Sequence, residues 1–466
     1  MGVSTILAES KVVKNFYYQG SGVSRRQWLR SAPCCCNSNR EQTGTIRCFW
    51  LATGGIEVAM ENGYHIYRCR DTIKVKQAVA DIFQVYGHKL PLDRDTLVLV
   101  KPNCNSDMCA LTGNTTDLRL VAAVVETLKQ HGYHNIVIGD GPNIGLLSAG
   151  IDGLARLGID RLASHYGVKY LDLNCAPYRE IKIGKQTVRV AQVCFDANFF
   201  VNLPKIKTHA EAGFTCALKN LMGCVIGLDR HKVHLDLHRN LYLLNQHLRP
   251  HLHIVDGLIG MEGTGPSGGV PVRLDVLIAG EDAALVDWVA ASLAGIDYRL
   301  VPHLRITLEE EVGLDVVASW KSIEPFKHFL RPSPSLLQRI ITYPALRPWF
   351  VRIRYLPGIS QLVSSELLSR LLYVLGARQE NYIKADAKIS RLAVNVDKCA
   401  VCKEQLCRAH CPLDTHPADT DGQCIACIYC YLACPSHAIQ LEGELGYLGF
   451  QLERYGEGIR RALFDY

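Results

Sequence analysis

The chain has 466 residues, of which 48% are apolar and 21% charged, and its net charge is +6 with the histidines neutral. This length predicts two to four domains of roughly 100–200 residues each, and the composition is ordinary for a soluble globular protein. So weak a positive charge argues against a nucleic-acid partner. Without a run of about 18 uncharged apolar residues, we predict no transmembrane segment.

Cysteine is the exception to this ordinary composition. The chain contains 19 cysteines, and eight of them lie between residues 399 and 434. Scattered cysteines combined with one dense cluster are typical of a reducing compartment rather than of a secreted disulfide framework. We therefore predict a cytoplasmic location.

Residues 1–59 show no sustained period of either 3.6 or 2. Residues 24–30 resemble a twin-arginine export pattern, but polar and cysteine-rich residues follow where an export signal needs an apolar segment. We predict either a disordered extension or a mis-assigned start, with the true start at Met60.

From Met60 onward, predicted strands and helices alternate. Residues 96–100 form a continuous apolar run typical of a buried parallel strand, and residues 117–131 form a helix that ends at Gly132. The other predicted strands cover residues 63–68, 135–138, 169–173, 199–202 and 252–255, and the other predicted helices cover residues 73–86 and 154–166. This alternation predicts an α/β fold over residues 60–315, with a mostly parallel sheet and flanking helices.

Polar motifs follow five of the apolar strands, and the carboxyl ends of parallel strands meet at one edge of a sheet. The proposed catalytic residues are Lys101, Lys205, Lys207, His209 and Lys219, and the proposed ligand-binding residues are Asn103, Asn220, Asp256 and Glu262. A single lysine in a loop is usually only solvated, but this many polar motifs at strand ends favour a site. Four lysines in one pocket suit a small anionic substrate, either a carboxylate or a phosphate.

These motifs resemble a family known as domain of unknown function family 362, over residues 62–300. The resemblance is carried by residues 101–103, 204–223, 256–266 and 280–287. Glu281 and Ala283 depart from the usual form of the last motif, which keeps Asp282 and Asp287. Members of the family often carry 4Fe–4S domains, but the resemblance implies little other chemistry.

Histidine is crowded between residues 231 and 253. His231, His234 and His238 are spaced to share one helix face, which would suit a metal ion, but no HExxH pattern accompanies them. We therefore favour a histidine-rich polar helix. Neither a P-loop nor a GxGxxG motif follows a predicted strand, which argues against a nicotinamide site and leaves flavin open.

Residues 316–388 contain six prolines among aromatic and arginine residues, with a leucine-rich piece at 362–375. We predict a helical connector that packs on one or both domains. A segment that touches a membrane surface is the alternative, but the pattern shows no clean amphipathic helix with a basic face.

The cysteine-rich segment contains two runs that each end in Cys-Pro. The second run is Cys424-x2-Cys427-x2-Cys430-x3-Cys434-Pro435, and the first is Cys399-x2-Cys402-x4-Cys407-x3-Cys411-Pro412. The second has the spacing of bacterial ferredoxins, and the first differs only by a longer gap between its second and third cysteines. Zinc also binds paired cysteines and is the alternative, but eight cysteines in two such runs favour iron–sulfur clusters.

Residues 389–443 resemble the two-cluster 4Fe–4S ferredoxin family. The resemblance implies a small α+β domain, with a strand at 394–398 paired to one at 438–441, and a C-terminal tail at 444–466. It also implies two 4Fe–4S clusters with crossed ligands. The first cluster would take Cys399, Cys402, Cys407 and Cys434, and the second would take Cys424, Cys427, Cys430 and Cys411.

Together these features predict an iron–sulfur oxidoreductase. It would pass single electrons through two 4Fe–4S clusters to or from an anionic substrate, or an unidentified redox partner, bound at the α/β domain. Two alternatives stay open. The protein is an electron carrier or adaptor that docks a redox enzyme, or a non-redox enzyme whose clusters are structural or sensory.

Overall fold

The computed structural model describes residues 45–46, 51–53, 56–61 and 63–464, except residues 334, 342, 344–345, 355, 357 and 419–423. The predicted domain boundary at residue 60 falls within a strand, Ile56–Glu61, which pairs with the following strand of the main sheet. Residues 1–44, which hold the twin-arginine-like stretch, lie outside the described residues.

Seventeen strands are found in the described part of the chain. They are β1 Thr45–Ile46, β2 Leu51–Thr53, β3 Ile56–Glu61, β4 Tyr64–Arg68, β5 Val98–Pro102, β6 Ile136–Asp140, β7 Lys169–Asp172, β8 Tyr178–Ile183, β9 Gln186–Ala191, β10 Phe199–Leu203, β11 Lys205–His209, β12 Gly213–Thr215, β13 Leu252–Glu262, β14 Val270–Gly280, β15 Ser322–Ile323, β16 Lys388–Val394 and β17 Ile439–Glu444.

The described α-helices surround these strands. They are α1 Thr72–Val85, α2 Leu118–Gln130, α3 Ile144–Ala149, α4 Gly153–Leu157, α5 Ile159–Tyr166, α6 Val193–Asp196, α7 Ala217–Asn220, α8 Arg230–His234, α9 Leu237–His247, α10 Ala283–Leu293, α11 Pro302–Glu311, α12 Leu314–Ser319, α13 Leu336–Ile341, α14 Arg347–Arg354, α15 Ile359–Val363, α16 Glu366–Val374, α17 Val396–Ala400, α18 Leu406–Ala409, α19 Tyr429–Leu432 and α20 Tyr447–Phe464. Among the described residues, no helix is both long and apolar enough to cross a membrane.

The main sheet has the order β2-β3-β4-β14-β13-β10-β5-β6-β7, with β11 beside β13 and β12 beside β11. Strands β13, β10, β5, β6 and β7 run parallel, whereas β14, β4, β3 and β2 add antiparallel pairs on one side. The predicted α/β fold with a mostly parallel central sheet and flanking helices is therefore confirmed. Strand β5 is buried along its whole length, as its continuous apolar run predicts.

The strand ends bring the polar motifs together. Asn202 at the end of β10 pairs with Lys101 of β5 on one side and with His253 of β13 on the other. Lys205 of β11 lies opposite Asp256 of β13. The motifs that are separated by about 150 residues in sequence therefore lie on neighbouring strands of the same sheet edge.

Two predicted helices are broken in the structure. The helix predicted at 154–166 divides into α4 and α5 at Gly158, whose φ of 85° is left-handed. The histidine-rich helix divides into α8 and α9, so His238 does not share a helix with His231 and His234. The expectation of one helix face with three histidines was therefore wrong.

The cysteine-rich segment is bounded by β16 and β17, which pair antiparallel. The strand predicted at 394–398 instead ends at Val394, because Asn395 caps the following helix α17 through its side chain. Helix α19 packs into the main core through Tyr429 and Leu432. The predicted C-terminal tail contains the 18-residue helix α20, which contacts β14 and the same core.

Candidate functional site

A cavity of about 560 Å³ lies at the carboxyl ends of the central strands, beneath helices α13–α16 of the connector. Three of the five predicted catalytic residues line it, namely Lys207, His209 and Lys219. Two of the four predicted ligand-binding residues, Asn103 and Asn220, line it as well. The sheet edge therefore does bring much of the predicted set into one space.

Lys207 is a buried lysine without a described carboxylate partner. Its Nζ donates hydrogen bonds to Asn103 Oδ1 at 2.9 Å and to the carbonyl oxygen of Asn114 at 2.5 Å. Burial lowers the pKa of Lys207 well below its usual value, and the nearby charges of Lys219 and Lys205 lower it further. An anion placed beside this nitrogen would stabilise its charged form.

Lys219 is the second cationic group of the cavity. It is half-buried, and it makes no hydrogen bond or ion pair with any residue that the structure describes. Burial lowers the pKa of Lys219 to about 8, with Glu211 acting to raise it and Arg230 to lower it. Its three N–H donors are thus available to a ligand.

His209 adds a neutral donor to the same wall. Its Nδ1 accepts hydrogen bonds from the backbone N–H groups of Glu211 and Ala212, both at 3.1 Å. The ring proton must then sit on Nε2. Burial lowers the pKa of His209 well below 6.5, and Lys219 adds to the shift, so the ring is neutral at pH 7.

A chain of amides fixes the floor of the cavity. Asn103 Nδ2 donates to Asn220 Oδ1 at 2.8 Å, and Asn220 Nδ2 donates to Asn202 Oδ1 at 2.7 Å. Asn202 Nδ2 and His253 Nδ1 lie 3.0 Å apart. Because each amide is oriented by the next, the Asn103 oxygen that accepts the hydrogen bond from Lys207 is held in a fixed position.

Lys101, Lys205 and Asp256 do not line the cavity but form buried ion pairs below it. Lys101 Nζ lies 2.7 Å from Asp140 Oδ1, and Lys205 Nζ lies 2.9 Å from Asp256 Oδ2. Asp256 Oδ2 also accepts the backbone N–H of Asp117 at 2.6 Å. These residues hold the strand ends in place and have no direct access to a ligand in the cavity.

Glu262 also lies away from the cavity. Its Oε2 accepts the backbone N–H of Leu330 at 2.9 Å, and its Oε1 lies 3.5 Å from Lys327 Nζ. Glu262 therefore fastens the start of the connector to β13 rather than contacting a ligand.

Sequence reasoning missed Arg230, which ties two motif loops together. Its guanidinium donates to the carbonyl oxygens of Gly141, Pro142 and Gly223 at 2.6–3.2 Å. The guanidinium passes so close to Gly141 that a Cβ there would lie 2.0 Å from Nη2. The two glycines at these motif positions were the available signal, since both are sites of close approach.

Replacing Gly223 by alanine is expected to lower the free energy of unfolding by about 1–3 kcal/mol. The new Cβ would lie 2.2 Å from Asp140 Oδ1 and 2.9 Å from Lys101 Nζ, so the buried pair must move apart. Denaturant unfolding would measure the effect. Gly456→Ala on α20 is the control, because a Cβ there meets nothing within 4 Å; equal losses in both variants would contradict the argument.

The acidic wall of the cavity comes from the end of the connector and was also missed. The carboxylate of Glu380 accepts hydrogen bonds from Ser267 Oγ at 2.5 Å, Tyr382 Oη at 2.8 Å and Asn143 Nδ2 at 2.9 Å. A Cβ at Gly145 would lie 1.9 Å from Tyr382 Oη, so this glycine makes room for the tyrosine. No periodic pattern marks these residues in the sequence.

The roof of the cavity is apolar. It is formed by Ile341, Phe350, Ile353, Ile359, Val363 and Leu372, all from helices α13–α16. A ligand that fills the cavity thus meets lysines, an imidazole and amides on one side and hydrocarbon on the other. Cavities of this kind bind small molecules through a few fixed polar contacts and a larger apolar area.

The cysteines of the predicted second set lie around one small space. Cys411, Cys424, Cys427 and Cys430 together line a cavity of about 20 Å³. Burial raises the pKa of Cys430 to about 12, and the neighbouring thiols of Cys424 and Cys411 add to the rise. All four sulfurs of this set are thus near neighbours.

The predicted first set is grouped around Cys407. Burial raises the pKa of Cys407 to about 11, and the thiols of Cys434, Cys399 and Cys402 add to the rise. Cys407 and Cys434 are buried in one apolar cluster, against which Cys399 packs. Cys430 of the second set lies in the same cluster, so the two sets are neighbours, and the crossed ligand assignment that the ferredoxin resemblance implies stays a prediction.

Backbone N–H groups point at these sulfurs. Ala426 N–H donates to Cys424 Sγ at 3.3 Å, and Ala438 N–H donates to Cys434 Sγ at 3.2 Å. Ala426 and Ile428 have left-handed φ values of 50° and 59° on either side of Cys427. Such alternation turns successive N–H groups inward and favours an anionic guest, so the donor set fits a thiolate-bound cluster.

Among the described residues, no group of three or more His, Cys, Asp or Glu side chains is arranged to hold a single metal ion. The crowded histidines instead have separate contacts. His234 Nδ1 lies 3.1 Å from Glu211 Oε1, and His238 stacks on His303 at 5.8 Å between ring centroids. The four thiolates of a cubane bind four different irons, so they need not converge on one point.

One thiol of the second set, Cys427, lies close to residues that follow Asn103 of the large cavity. Cys427 and Tyr429 share a small space of about 30 Å³ with Cys104 and Cys109. The backbone N–H of Cys104 donates at 2.6 Å to Asp140 Oδ2, and Asp140 lines the large cavity. One loop, Lys101 to Cys109, therefore separates the two candidate centres.

Comparison with known proteins addresses the α/β region. The chain is 27% identical over 235 residues to Thylakoid-associated protein sll1697 of Synechocystis sp., which covers 48% of this chain and 70% of that protein. Residues 98–292 match a family model described as Domain of unknown function (DUF362). The matched residues end before the cysteine-rich segment, whose resemblance to ferredoxins stays a prediction. The matched residues include Lys207, His209 and Lys219, and the match agrees with the resemblance that their motifs indicated.

Proposed function

We propose that this protein is an iron–sulfur oxidoreductase that exchanges single electrons with an anionic ligand bound in the large cavity. The observation that carries the proposal is that Cys411, Cys424, Cys427 and Cys430 surround one small space, and that Cys427 also lies beside the loop that leads from the large cavity. A ligand pocket that contains Lys219, with a thiol of the second set nearby, favours redox chemistry in the same chain.

The eight cysteines would hold two 4Fe–4S clusters. Cys399, Cys402, Cys407 and Cys434 would ligate the first, and Cys424, Cys427, Cys430 and Cys411 the second. When bound, clusters of this type accept and donate one electron at a time. Ala426 and Ala438 N–H groups would stabilise the thiolate charge by hydrogen bonding to sulfur.

The cavity residues would bind the ligand and stabilise added charge. Lys219 and Lys207 suit a carboxylate or phosphate, with His209 as a neutral donor beside them. Any electron that reaches the ligand increases its negative charge, which these donors stabilise. The apolar roof would exclude water from this part of the cavity. The external electron donor is proposed to be an unidentified redox protein.

Iron and sulfide analysis of anaerobically purified protein tests the cofactor. We expect about eight irons and eight sulfides per chain, and an absorption near 400 nm that low-potential reductant bleaches. Cys430→Ala should lose roughly half of the iron, because it removes a ligand of one cluster only. Cys175→Ala is the control, since Cys175 is exposed and outside both sets. Zinc in place of iron after reconstitution would contradict the proposal.

The reoxidation rate of the reduced protein tests whether the two centres act together. A carboxylate ligand such as decanoate should change this rate in the wild type and not in Lys219→Met. Decanoate binding without any change in rate would favour the carrier or non-redox alternatives.

The cytoplasmic location stays a prediction. The name of the Synechocystis relative associates that protein with thylakoids. Cell fractionation of this protein, with and without high salt, would distinguish a freely dissolved protein from one held at a membrane.

A further inference from the structure

The outer faces of the connector helices are apolar and exposed. On α16, Leu367, Leu371 and Val374 recur at helical spacing, and Leu367 is 83% exposed. On α14, Trp349 is 65% exposed. The sequence predicts a connector that packs on one or both domains, so the exposure of these residues needs a separate explanation.

Exposed apolar residues recur along the whole of this segment. We call these exposed residues the connector surface, which comprises Leu336, Ile340, Leu346, Trp349, Leu362, Leu367, Leu371 and Val374. The same helices present other apolar side chains, such as Leu372 and Val363, to the cavity. The connector thus has apolar groups on both sides, where an ordinary surface helix has one buried apolar stripe.

The charge of this segment is as unusual as its apolarity. Residues 331–378 contain seven arginines, one glutamate and no lysine or aspartate, a net charge of +6. The whole chain also has a net charge of +6, so the remaining residues sum to zero. Arg339, Arg352 and Arg370 are exposed on the same helices as the apolar residues.

Exposed apolar side chains next to arginines match the chemistry of one kind of surface. Interfacial helices bury Trp and Leu at the boundary of headgroups and acyl chains, while their basic residues contact anionic lipids. A protein partner would have to be both apolar and strongly acidic over the same area. A second copy of this chain carries the same positive charge there and would be repelled.

We propose that the connector surface docks on the face of a lipid bilayer that contains anionic lipid. The helices lie in the interface plane without crossing it, since they are short and carry arginines. The roof of the large cavity then faces the membrane. This inference does not depend on the cysteine-bound clusters.

Vesicle sedimentation of the full-length protein tests the proposal. We expect binding to phosphatidylcholine vesicles that contain about a third phosphatidylglycerol, weak binding to pure phosphatidylcholine, and release as salt rises toward roughly 0.5 M. The double variant Leu367→Glu/Val374→Glu should lower binding at least tenfold. Arg352→Gln/Arg370→Gln should lower vesicle binding roughly tenfold or more at low salt, because each charge removed is expected to weaken binding about fivefold.

The control is Leu92→Glu, because Leu92 is 95% exposed and lies outside the connector. All substituted residues are exposed, so the variants should fold as the wild type does. Vesicles with brominated acyl chains should quench the fluorescence of Trp349 in the bound wild-type protein. This quenching should be absent in Trp349→Phe. Equal binding by Leu92→Glu and the double variant would overturn the proposal, as would an absence of vesicle binding. A change of oligomeric mass without a change in vesicle binding would assign the surface to self-association instead.

Discussion

Asp256→Asn is expected to lower the free energy of unfolding by about 3–5 kcal/mol, the largest stability loss that we predict. Lys205 and Asp256 are both fully buried, with Lys205 Nζ at 2.9 Å from Asp256 Oδ2. The amide keeps the shape of the carboxylate and leaves the lysine charge without its hydrogen-bonded counter-ion. Breaking a buried pair in this way costs more than the pair itself contributes.

The double variant Lys205→Met/Asp256→Asn should be more stable than Asp256→Asn alone, because it removes the uncompensated charge. Denaturant unfolding followed by near-ultraviolet circular dichroism would measure all three proteins. Glu281→Gln is the control, since Glu281 pairs with His88 and Lys89 at the surface and should contribute less than about 1 kcal/mol. A loss in Asp256→Asn no larger than in the control would contradict a role for the pair in holding the strand ends.

The sequence predicted where the site lies better than it predicted which residues face it. Polar motifs follow the apolar strands, and parallel strands place their ends at one edge, so Asn103, Lys207 and Lys219 were found together. Lys205 and Lys207 are two residues apart on β11, which predicts that they share a face. The register shifts between them, and Lys205 pairs with Asp256 while Lys207 reaches the cavity.

The acidic wall and the roof could not be predicted from strand patterns. Glu380 and Tyr382 reach the cavity after a connector of more than sixty residues, and they meet Asn143 and Ser267 only in the folded chain. Hydrophobic periodicity predicts that a helix has an apolar face, but not whether that face meets a core, a cavity or solvent. In the connector helices, apolar side chains meet the cavity and solvent.

Loss of the Lys219 charge is expected to weaken decanoate binding roughly 10- to 100-fold, since a hydrogen bond to a charged group contributes about 1.5–3 kcal/mol. Decanoate is a suitable probe because its carboxylate would meet the lysines and its chain the apolar roof. Isothermal titration calorimetry of Lys219→Met against wild type would measure the change. Lys182→Met is the control, because Lys182 is exposed on β8 and does not line the cavity.

The pH dependence of the same affinity gives a sharper test. Burial lowers the pKa of Lys219 to about 8, so its ammonium is present below pH 8 and is lost as pH rises. Decanoate stays ionised throughout, and its affinity should therefore fall by up to tenfold per pH unit above about pH 8. In Lys219→Arg the guanidinium keeps its charge, so most of this fall should disappear. Any decrease in affinity that remains in Lys219→Arg is assigned to Lys207, because burial also lowers the pKa of Lys207. An affinity that is flat from about pH 7 to 10 in the wild type would place the anion elsewhere.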